Sequence, residues 1–495
     1  MEQELYEELR KLCEVKISEF HDYHNYLQRN CARRIRNGMS SVKEVKEPEE
    51  WSNSGRYNPF YVIKHLKQIA HSISRKLVRG TYEPEAPFLK HIPKSNGTFR
   101  VVMSYQLPDA AVSTLIYRKL IRKNRQRFSS YSYAYRNDRN AHFAIQDLYS
   151  YLSNERRVFV AEYDFSSFFD SILHDYLFVQ LDDGAFNVSE VEKHVIDAFI
   201  SNRSGKGIPQ GTSISLFLAN VSCWSLDRQL EEIGVRFARY ADDLIVWSKD
   251  FTKVCNAVNV LYDFSKDSGV QINANKSPGI SIICNSVANE VVGKKKTVSF
   301  LGHNISSNSI SFSYNVVDKI KRQISYLIYS NLIQPLKAVK VSTVLGEYDK
   351  AFISSVLQVR RYLYGDATEL ALRRYQLGHS GRLRFRGLMS YFPLVDNIEQ
   401  LKELDRWMAN AFVNALHKRE KNFEDEGILV SKVFPYPVDF QTFIRKCEIK
   451  SVAGRKGFAK IPSFLRIRNA YKKGIENQGI ESVANPKTVY YNYEL

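Results

Sequence analysis

The feature that most constrains the fold is a pair of adjacent aspartates between two short apolar strands. Val235–Tyr240 precedes the pair, Leu244–Ser248 follows it, and the stretch from residue 239 reads RYADDLIVW. Side-by-side carboxylates repel each other, so a folded chain tolerates them most readily in solvent or on a metal ion. The flanking strands are too apolar for an ordinary surface turn. The pattern therefore predicts a β-hairpin that carries Asp242 and Asp243 at a functional tip.

A second apolar strand, Val158–Asp164, also ends on a carboxylate. Mg²⁺ is a hard ion that prefers carboxylate oxygens and substrate phosphates. Two-metal phosphoryl transfer needs acidic side chains on a rigid backbone that hold the ions about 3.5–4 Å apart. Asp164, Asp242 and Asp243 are the candidates for such a site, with two Mg²⁺ ions expected and Mn²⁺ as a substitute.

Composition restricts the partners and the compartment. The formal net charge of +18 and the pI of about 9.4 favour a polyanionic partner, with nucleic acid first and an anionic membrane surface second. No apolar stretch reaches the length of a membrane span, so no spanning helix is expected. Of the two candidate partners, nucleic acid is the one expected, and no membrane. The six cysteines form no C-x-x-C pair, which indicates buried thiols and a reducing, cytoplasmic location.

Seven segments, in order along the chain, resemble the sequence blocks of reverse transcriptases. Together they span about residues 60–310. One departure is that Leu216 follows Ser215, where family members often carry Ser-Pro, and this argues against the group II intron branch. The segments are Ile92–Arg100, Ser132–Arg139, Tyr163–Asp170, Gly207–Ser215, Tyr240–Asp243, Gly269–Lys276 and Val298–Gly302.

The resemblance implies an α+β fold with a right-hand polymerase core of fingers and palm, followed by an all-α C-terminal extension. The expected divisions are an N-terminal helical segment (1–58), fingers (59–157), palm with interleaved fingers elements (158–315) and a helical thumb or extension (316–495). In the extension, apolar stripes at helical spacing begin at Ile320 and at Leu401.

The resemblance also implies the reaction, RNA-directed DNA synthesis, with RNA template, DNA product and deoxynucleoside triphosphates as partners. Asp164 and Asp242 would hold both metals, with Asp243 as the weaker third carboxylate. Lys276 is either a general acid for the leaving pyrophosphate or a surface charge.

Five residues are expected to bind the incoming nucleotide. Lys94 and Arg100 would clamp the triphosphate. The loop that contains Gln210 and Gly211 would approach the nascent base pair. An aromatic five residues after Asp164 would crowd the sugar 2′-position, with Phe168 as the alternative for that role. The five are Lys94, Arg100, Phe169, Gln210 and Gly211.

The extension contains an arginine cluster, with Tyr375 and Phe385 interleaved. Arginines contact phosphate and aromatic rings stack on unpaired bases, so the cluster predicts RNA or product-strand binding, against the alternative of a solvated basic face. A second basic cluster, at residues 455–473, gives a weaker signal. The arginines are Arg373, Arg374, Arg382, Arg384 and Arg386.

A polymerase core with a helical extension resembles bacterial defence-associated, Abi-type reverse transcriptases, which act against phage. Members of that group commonly use a dedicated noncoding RNA, form oligomers or start synthesis on a protein residue. Tyr490, Tyr491 and Tyr493 near the end of the sequence are candidate priming hydroxyls, and a homo-oligomer is expected. The alternatives are a retron-type reverse transcriptase and a group II intron-like maturase that serves as an RNA-binding scaffold.

Overall fold

The computed structural model describes residues 1–36, 44–93, 97–200, 205–284, 293–338, 346–381 and 383–484. The chain divides into two compact units: residues 1–28 with 43–301, and residues 29–42 with 302–495. Five sequence candidates lie outside the described residues, namely Lys94, Arg382, Tyr490, Tyr491 and Tyr493.

Twelve helices are described up to residue 301. In chain order they are α1 (Glu2–Arg36), α2 (Glu50–Asn53), α3 (Pro59–Lys64), α4 (Leu66–Arg79), α5 (Leu107–Asn124), α6 (Ala141–Asn154), α7 (Phe168–Ser171), α8 (His174–Asp183), α9 (Glu190–Ile200), α10 (Ser213–Ser222), α11 (Trp224–Ile233) and α12 (Phe251–Ser268), with 3₁₀ turns at Gly55–Tyr57 and Arg125–Arg127.

Nine strands accompany these helices. They are β1 (Phe88–Pro93), β2 (Phe99–Ser104), β3 (Arg157–Ser166), β4 (Arg236–Tyr240), β5 (Asp243–Ser248), β6 (Gln271–Ile272), β7 (Gly279–Cys284), β8 (Gly293–Lys295) and β9 (Val298–Phe300). Strands β1 and β2 form a separate antiparallel hairpin. The main sheet has the order β4-β5-β3-β7-β8, with β6 paired to β3. Strand β3 is central and antiparallel to both β5 and β7.

The main sheet is rigid because its central strands are buried. Strand β3 is buried at four consecutive residues from Val158 to Ala161, and β5 at five from Leu244 to Ser248. Continuous apolar runs of this kind are typical of strands covered on both faces. Helix α12 contacts both strands and contributes fully buried Val254, Ala257 and Leu261 to the same core.

The second unit is mainly helical. Its elements are β10 (His303–Ile305), β11 (Ile310–Phe312), α13 (Tyr314–Leu332), α14 (Gln334–Ala338), α15 (Lys350–Tyr364), α16 (Glu369–Gln376), α17 (Ile398–Asp425), α18 (Phe440–Ile449), α19 (Phe464–Gln478) and α20 (Ile480–Val483), with a 3₁₀ turn at Leu388–Ser390. The two apolar stripes that begin at Ile320 and Leu401 are buried on α13 and α17, as predicted. Within the described ranges, none of the helices is both long and apolar enough to cross a membrane.

Two stretches with an uninterrupted helical pattern in the sequence each form two helices in the structure. The stretch from Pro59 to Arg79 breaks at His65, whose N–H is shared between the carbonyls of Tyr61 and Val62. The stretch from Ile214 to Leu230 breaks at Cys223, where ψ is 7°. Helical periodicity continues through both breaks because each flanking helix still buries an apolar face, so the sequence pattern does not reveal them.

Candidate active site

The hairpin of β4 and β5 places two adjacent carboxylates at its tip. Tyr240 pairs with Asp243, so Ala241 and Asp242 are the two central turn residues. Ala241 has a φ of +60° and is buried. A left-handed backbone at a residue other than glycine costs energy and persists only where the surrounding structure enforces it, which is common at functional sites. The hairpin predicted from the sequence is therefore present, and its tip is strained.

The third carboxylate lies directly opposite this hairpin. Asp164 on β3 is the register partner of Asp243 on β5. The N–H of Phe165 also donates to the carbonyl of Asp242, with an N–O distance of 3.3 Å. The structure thus brings together Asp164, Asp242 and Asp243, which lie up to 79 positions apart in the sequence.

A turn after β6 holds Asp164 through both its backbone and its side chain. Asn273 donates from its N–H to the Asp164 carbonyl at 2.8 Å and from Nδ2 to Oδ2 at 3.0 Å. The Oγ of Ser277 accepts the Asp164 N–H at 3.2 Å. Asn273 lies inside the block Gly269–Lys276, but the sequence pattern assigns no role to either residue. Their contribution becomes visible only when the turn is seen against β3.

The three carboxylates interact electrostatically. Burial, together with the negative charges of Asp242 and Asp164, raises the pKa of Asp243 to about 6. Burial and the charge of Asp164 also raise the pKa of Asp242, whereas Arg100 and Lys276 oppose that rise. Clustered, partly buried carboxylates of this kind become more stable when a cation is added between them.

The donor chemistry fits a hard divalent cation, because carboxylate oxygens are its preferred ligands. Asp164, Asp242 and Asp243 are the residues that would supply those oxygens. Within the described residues, the side-chain oxygens of these three aspartates do not all point to one common position at which a metal ion could bind. The fit therefore lies in donor type and clustering, and the metal assignment belongs with the proposals below.

Lys276 lies at the edge of this cluster. Its side chain is 66% exposed, and Nζ is 3.1 Å from Oδ2 of Asp164. The structure thus places Lys276 beside the carboxylates instead of on a remote surface. Its role as a general acid stays a prediction.

The β1–β2 hairpin packs against the glutamine–glycine loop. The N–H of Met103 donates to the carbonyl of Gln210 at 2.7 Å. Gly211 has a φ of +114°, and a Cβ there would lie 2.4 Å from the Met103 carbonyl oxygen. Glycine is therefore required at this position by the close approach of β2. Arg100 on the same strand is exposed and is close enough to Asp242 for its charge to affect that carboxyl.

The two phenylalanines after Asp164 occupy different environments. Phe168 is 3% exposed and stacks on Phe165 in the core, with ring centroids 6.0 Å apart. Phe169 is only partly buried and makes an edge contact with Tyr135 at 6.3 Å. Phe168 is thus committed to packing, so Phe169 remains the candidate for contact with the nucleotide sugar.

A buried ion pair, which no local sequence pattern indicates, anchors the hairpin of β4 and β5. Arg239 is fully buried and binds Asp227 of α11 with two hydrogen bonds, Nε–Oδ1 at 2.8 Å and Nη2–Oδ2 at 2.6 Å. The same guanidinium donates to Oδ1 of Asn220 on α10 and to Oγ of Ser132. Arg239 thereby joins the strand before the aspartates to two helices and one loop.

In the second unit, the four arginines of the predicted cluster that the structure describes are solvent-exposed. Arg373, Arg374 and Arg384 form no ion pair within the described residues. Arg386 pairs with Asp366, with Nη1 3.0 Å from Oδ2. Positions 373 and 374 lie on α16, which packs against α19.

The expectation that the interleaved aromatic rings stack on unpaired bases is wrong. Tyr375 and Phe385 are 2% and 5% exposed and contact each other with ring centroids 5.6 Å apart. Phe385 also packs on Tyr471 of α19 at 4.7 Å. These rings form the core between α16 and α19, so they are inaccessible to a nucleic acid.

Comparisons with known proteins agree with the motifs. The family model for reverse transcriptase (RNA-dependent DNA polymerase) matches residues 92–305. Protein YkfC of Escherichia coli (strain K12) is 29% identical over 167 residues, which are 32% of this chain and 44% of that protein. The match thus spans less than half of that curated relative.

Solved telomerase structures resemble the chain at low similarity. Telomerase from Candida albicans in complex with a TWJ fragment of telomeric RNA is 13% identical, with a TM-score of 0.36, over 79% of this chain and 69% of that one. Apo telomerase from Candida tropicalis is 11% identical, with a TM-score of 0.38, over 93% of this chain and 83% of that one. TM-scores this low support no conclusion about function. The match to the reverse transcriptase family model covers residues 92–305, a range that includes Asp164, Asp242 and Asp243.

Proposed function

We propose that the protein is an RNA-directed DNA polymerase whose active site contains Asp164, Asp242 and Asp243. The observation that carries the proposal is the register of β3 and β5, which sets Asp164 opposite Asp243 at a strained hairpin tip. An Asp-Asp turn with no catalytic role would need neither the strain nor a third carboxylate held by Asn273.

The three aspartates would hold two Mg²⁺ ions, which activate the primer hydroxyl and stabilise the leaving pyrophosphate. Arg100 lies on the exposed face of β2, where a guanidinium can bind the triphosphate through paired hydrogen bonds. Lys276, already within 3.1 Å of Asp164, is positioned to donate a proton to the leaving group. Phe169 would face the sugar and disfavour a 2′-hydroxyl.

The test is primer extension on a homopolymeric RNA template with Asp242→Asn. A metal ion stabilises the transition state by several kcal/mol, so activity should fall by at least about a hundredfold. The matched control is Asp263→Asn, which removes an exposed carboxylate of α12 and should keep wild-type activity. If Asp242→Asn retains activity within about tenfold of wild type, the metal assignment fails. A wild-type protein that binds RNA but incorporates no nucleotide would favour the scaffold alternative.

We further propose that the exposed arginines of the second unit bind the phosphate backbone of RNA or of the product strand. Lys473 of α19 donates to the carbonyl of Gln376 on α16, which brings a cation of the later basic cluster to the same surface. Since the neighbouring aromatic rings are buried, binding would depend on charge. Arg373 and Arg374 are the described residues of α16 that would make these contacts.

The biological setting is proposed from the resemblance to Abi-type reverse transcriptases: copying of a dedicated noncoding RNA in anti-phage defence, by a homo-oligomer. A tyrosine among positions 490, 491 and 493 is proposed as the primer, because a phenol has a lower pKa than an alkyl alcohol. Sequencing nucleic acid that copurifies with the protein would identify the template. Mass spectrometry of nuclease-treated protein would reveal a nucleotide on the C-terminal peptide, whereas free 5′ ends on the DNA would exclude protein priming.

A further inference from the structure

Residues 131–135 form a loop segment that is fixed to the edge strand of the catalytic hairpin. The N–H of Arg239 donates to the carbonyl of Tyr131 at 3.0 Å, and the N–H of Tyr133 donates to the carbonyl of Arg239 at 2.9 Å. The Arg239 side chain binds Oγ of Ser132 at 2.8 Å. The segment therefore extends the sheet beyond β4, and its position is set by the strand that leads to Asp242.

The end of this segment is held in a costly conformation. Tyr135 has a φ of +59°, which is rare for a bulky residue. The preceding carbonyl, of Ala134, accepts Nδ2 of Asn220 at 3.0 Å, and the carbonyl of Tyr135 accepts the hydroxyl of Tyr117 at 2.9 Å. Two side chains thus enforce a backbone that the residue would not otherwise adopt, which is the pattern found at ligand-contacting positions.

The enforced backbone directs the Tyr135 ring to the candidate nucleotide site. The half-buried ring meets Phe169 edge-on, with centroids 6.3 Å apart and planes at 75°. Burial, together with the charge of Asp242, raises the pKa of Tyr135 to about 12, and Arg100 opposes the rise. The phenol therefore lies within electrostatic reach of a catalytic carboxylate and of the predicted triphosphate-binding arginine.

The hydroxyl of Tyr135 is available to a ligand. Within the described part of the chain it makes no hydrogen bond, in contrast to the hydroxyls of Tyr117 and Tyr82, which are both bonded. A phenol that is held in place and left without a partner in the protein can donate to an oxygen of a bound molecule.

We propose that Tyr135 is a substrate-contacting residue of the polymerase. Its hydroxyl donates to the sugar–phosphate portion of the incoming nucleotide, and its ring supports Phe169 against the sugar. This inference rests on the proposed function, and it assigns a role to Tyr135, to which the sequence pattern assigns none.

The test uses a poly(rA) template with an oligo(dT) primer, and dUTP and UTP as substrates that differ only at the 2′-position. Tyr135→Phe removes one neutral hydrogen bond and should raise KM for dUTP about fivefold with little change in kcat. Tyr135→Leu removes the ring contact and should lower the dUTP-to-UTP ratio of kcat/KM about fivefold. A purely structural role would change the melting temperature and leave both the KM for dUTP and the dUTP-to-UTP ratio of kcat/KM unaltered.

Tyr131→Phe is the matched control, because it removes a phenolic hydroxyl from the same segment. The ring of Tyr131 packs on Phe237. It should keep the wild-type KM. A Tyr135→Phe enzyme with the wild-type KM for dUTP would overturn the hydrogen bond, and an unchanged ratio in Tyr135→Leu would overturn the ring support. A wild-type protein that incorporates no dUTP would instead count against the proposed polymerase function.

Discussion

Removal of Asp227 should destabilise the first unit through the hairpin that bears Asp242 and Asp243. Asp227→Ala deletes both oxygens that bind Arg239 and leaves a guanidinium that is fully buried. Loss of one partner from a buried ion pair costs about 3–5 kcal/mol, because the remaining charge has no compensation. Arg239 keeps two acceptors, Asn220 and Ser132, so the expected loss is near the lower end, about 3 kcal/mol.

The measurement is differential scanning calorimetry of the full chain, and the quantity compared is the melting temperature of the first unit. For a unit of this size, about 2 °C is expected per kcal/mol, so the transition should fall by about 6 °C. Replacement of both partners, Asp227→Leu with Arg239→Met, removes the unpaired charge as well and should recover about half of the loss. The exposed Asp263→Ala on α12 provides a control that should stay within about 1 °C of wild type.

Two outcomes would refute this reasoning. If Asp227→Ala melts within about 1 °C of wild type, the buried pair does not contribute as its geometry indicates. If the stability loss of the double variant equals the sum of the losses of Asp227→Leu and Arg239→Met, the cost comes from poorer packing. An ion pair would instead give a favourable coupling energy between the two positions.

Three other sites give predictions of their own. Phe169→Ala should raise ribonucleotide incorporation relative to deoxynucleotide, measured as a ratio of kcat/KM values; an unchanged ratio would place the sugar gate elsewhere. Joint replacement of Arg373 and Arg374 by Gln should reduce the slope of log K against log salt for RNA binding by about two, one for each arginine–phosphate pair removed, and an unaltered slope would indicate a solvated basic face. Burial lowers the pKa of His142 from 6.5 to about 4. Between pH 4 and pH 6.5, the unfolded chain therefore binds more protons than the folded chain. Stability should therefore fall by up to about 3 kcal/mol as the pH drops from 7 to 4, and His142→Gln should lose this part of the pH dependence in urea titrations.

The parts of the site that could be predicted from sequence are those fixed by local pattern. An apolar strand that carries Asp164 and a hairpin with Asp242 and Asp243 at its tip are each defined within ten residues, although β3 continues beyond the predicted end at Asp164 to Ser166. Alternation and turn chemistry act over that range, so both elements are correctly predicted. The apolar stripes of α13 and α17 are predictable for the same reason, since each helix shows its buried face in its own periodicity.

The supporting residues could not be predicted, because their partners lie on other elements of the fold. Asp227 and Arg239 lie on different elements, and Asn273 reaches Asp164 from 109 positions away. A sequence with 71 basic and 53 acidic side chains offers thousands of possible ion pairs, and charge pattern alone does not select among them. The strained backbone of Tyr135 is equally invisible, because it is imposed by Asn220 and Tyr117 and not by its neighbours in the chain.

The buried aromatic rings of the second unit have a consequence for how that unit would recognise RNA. Aromatic residues between arginines suggest base stacking when only the linear order is known, yet α16 directs Tyr375 inward to Phe385 while Arg373 and Arg374 stay exposed. Without accessible rings, the surface around these arginines can recognise phosphates but has little means to distinguish bases. We therefore expect its affinity to depend strongly on salt and weakly on sequence, so that any template selectivity would have to come from other contacts or from RNA shape.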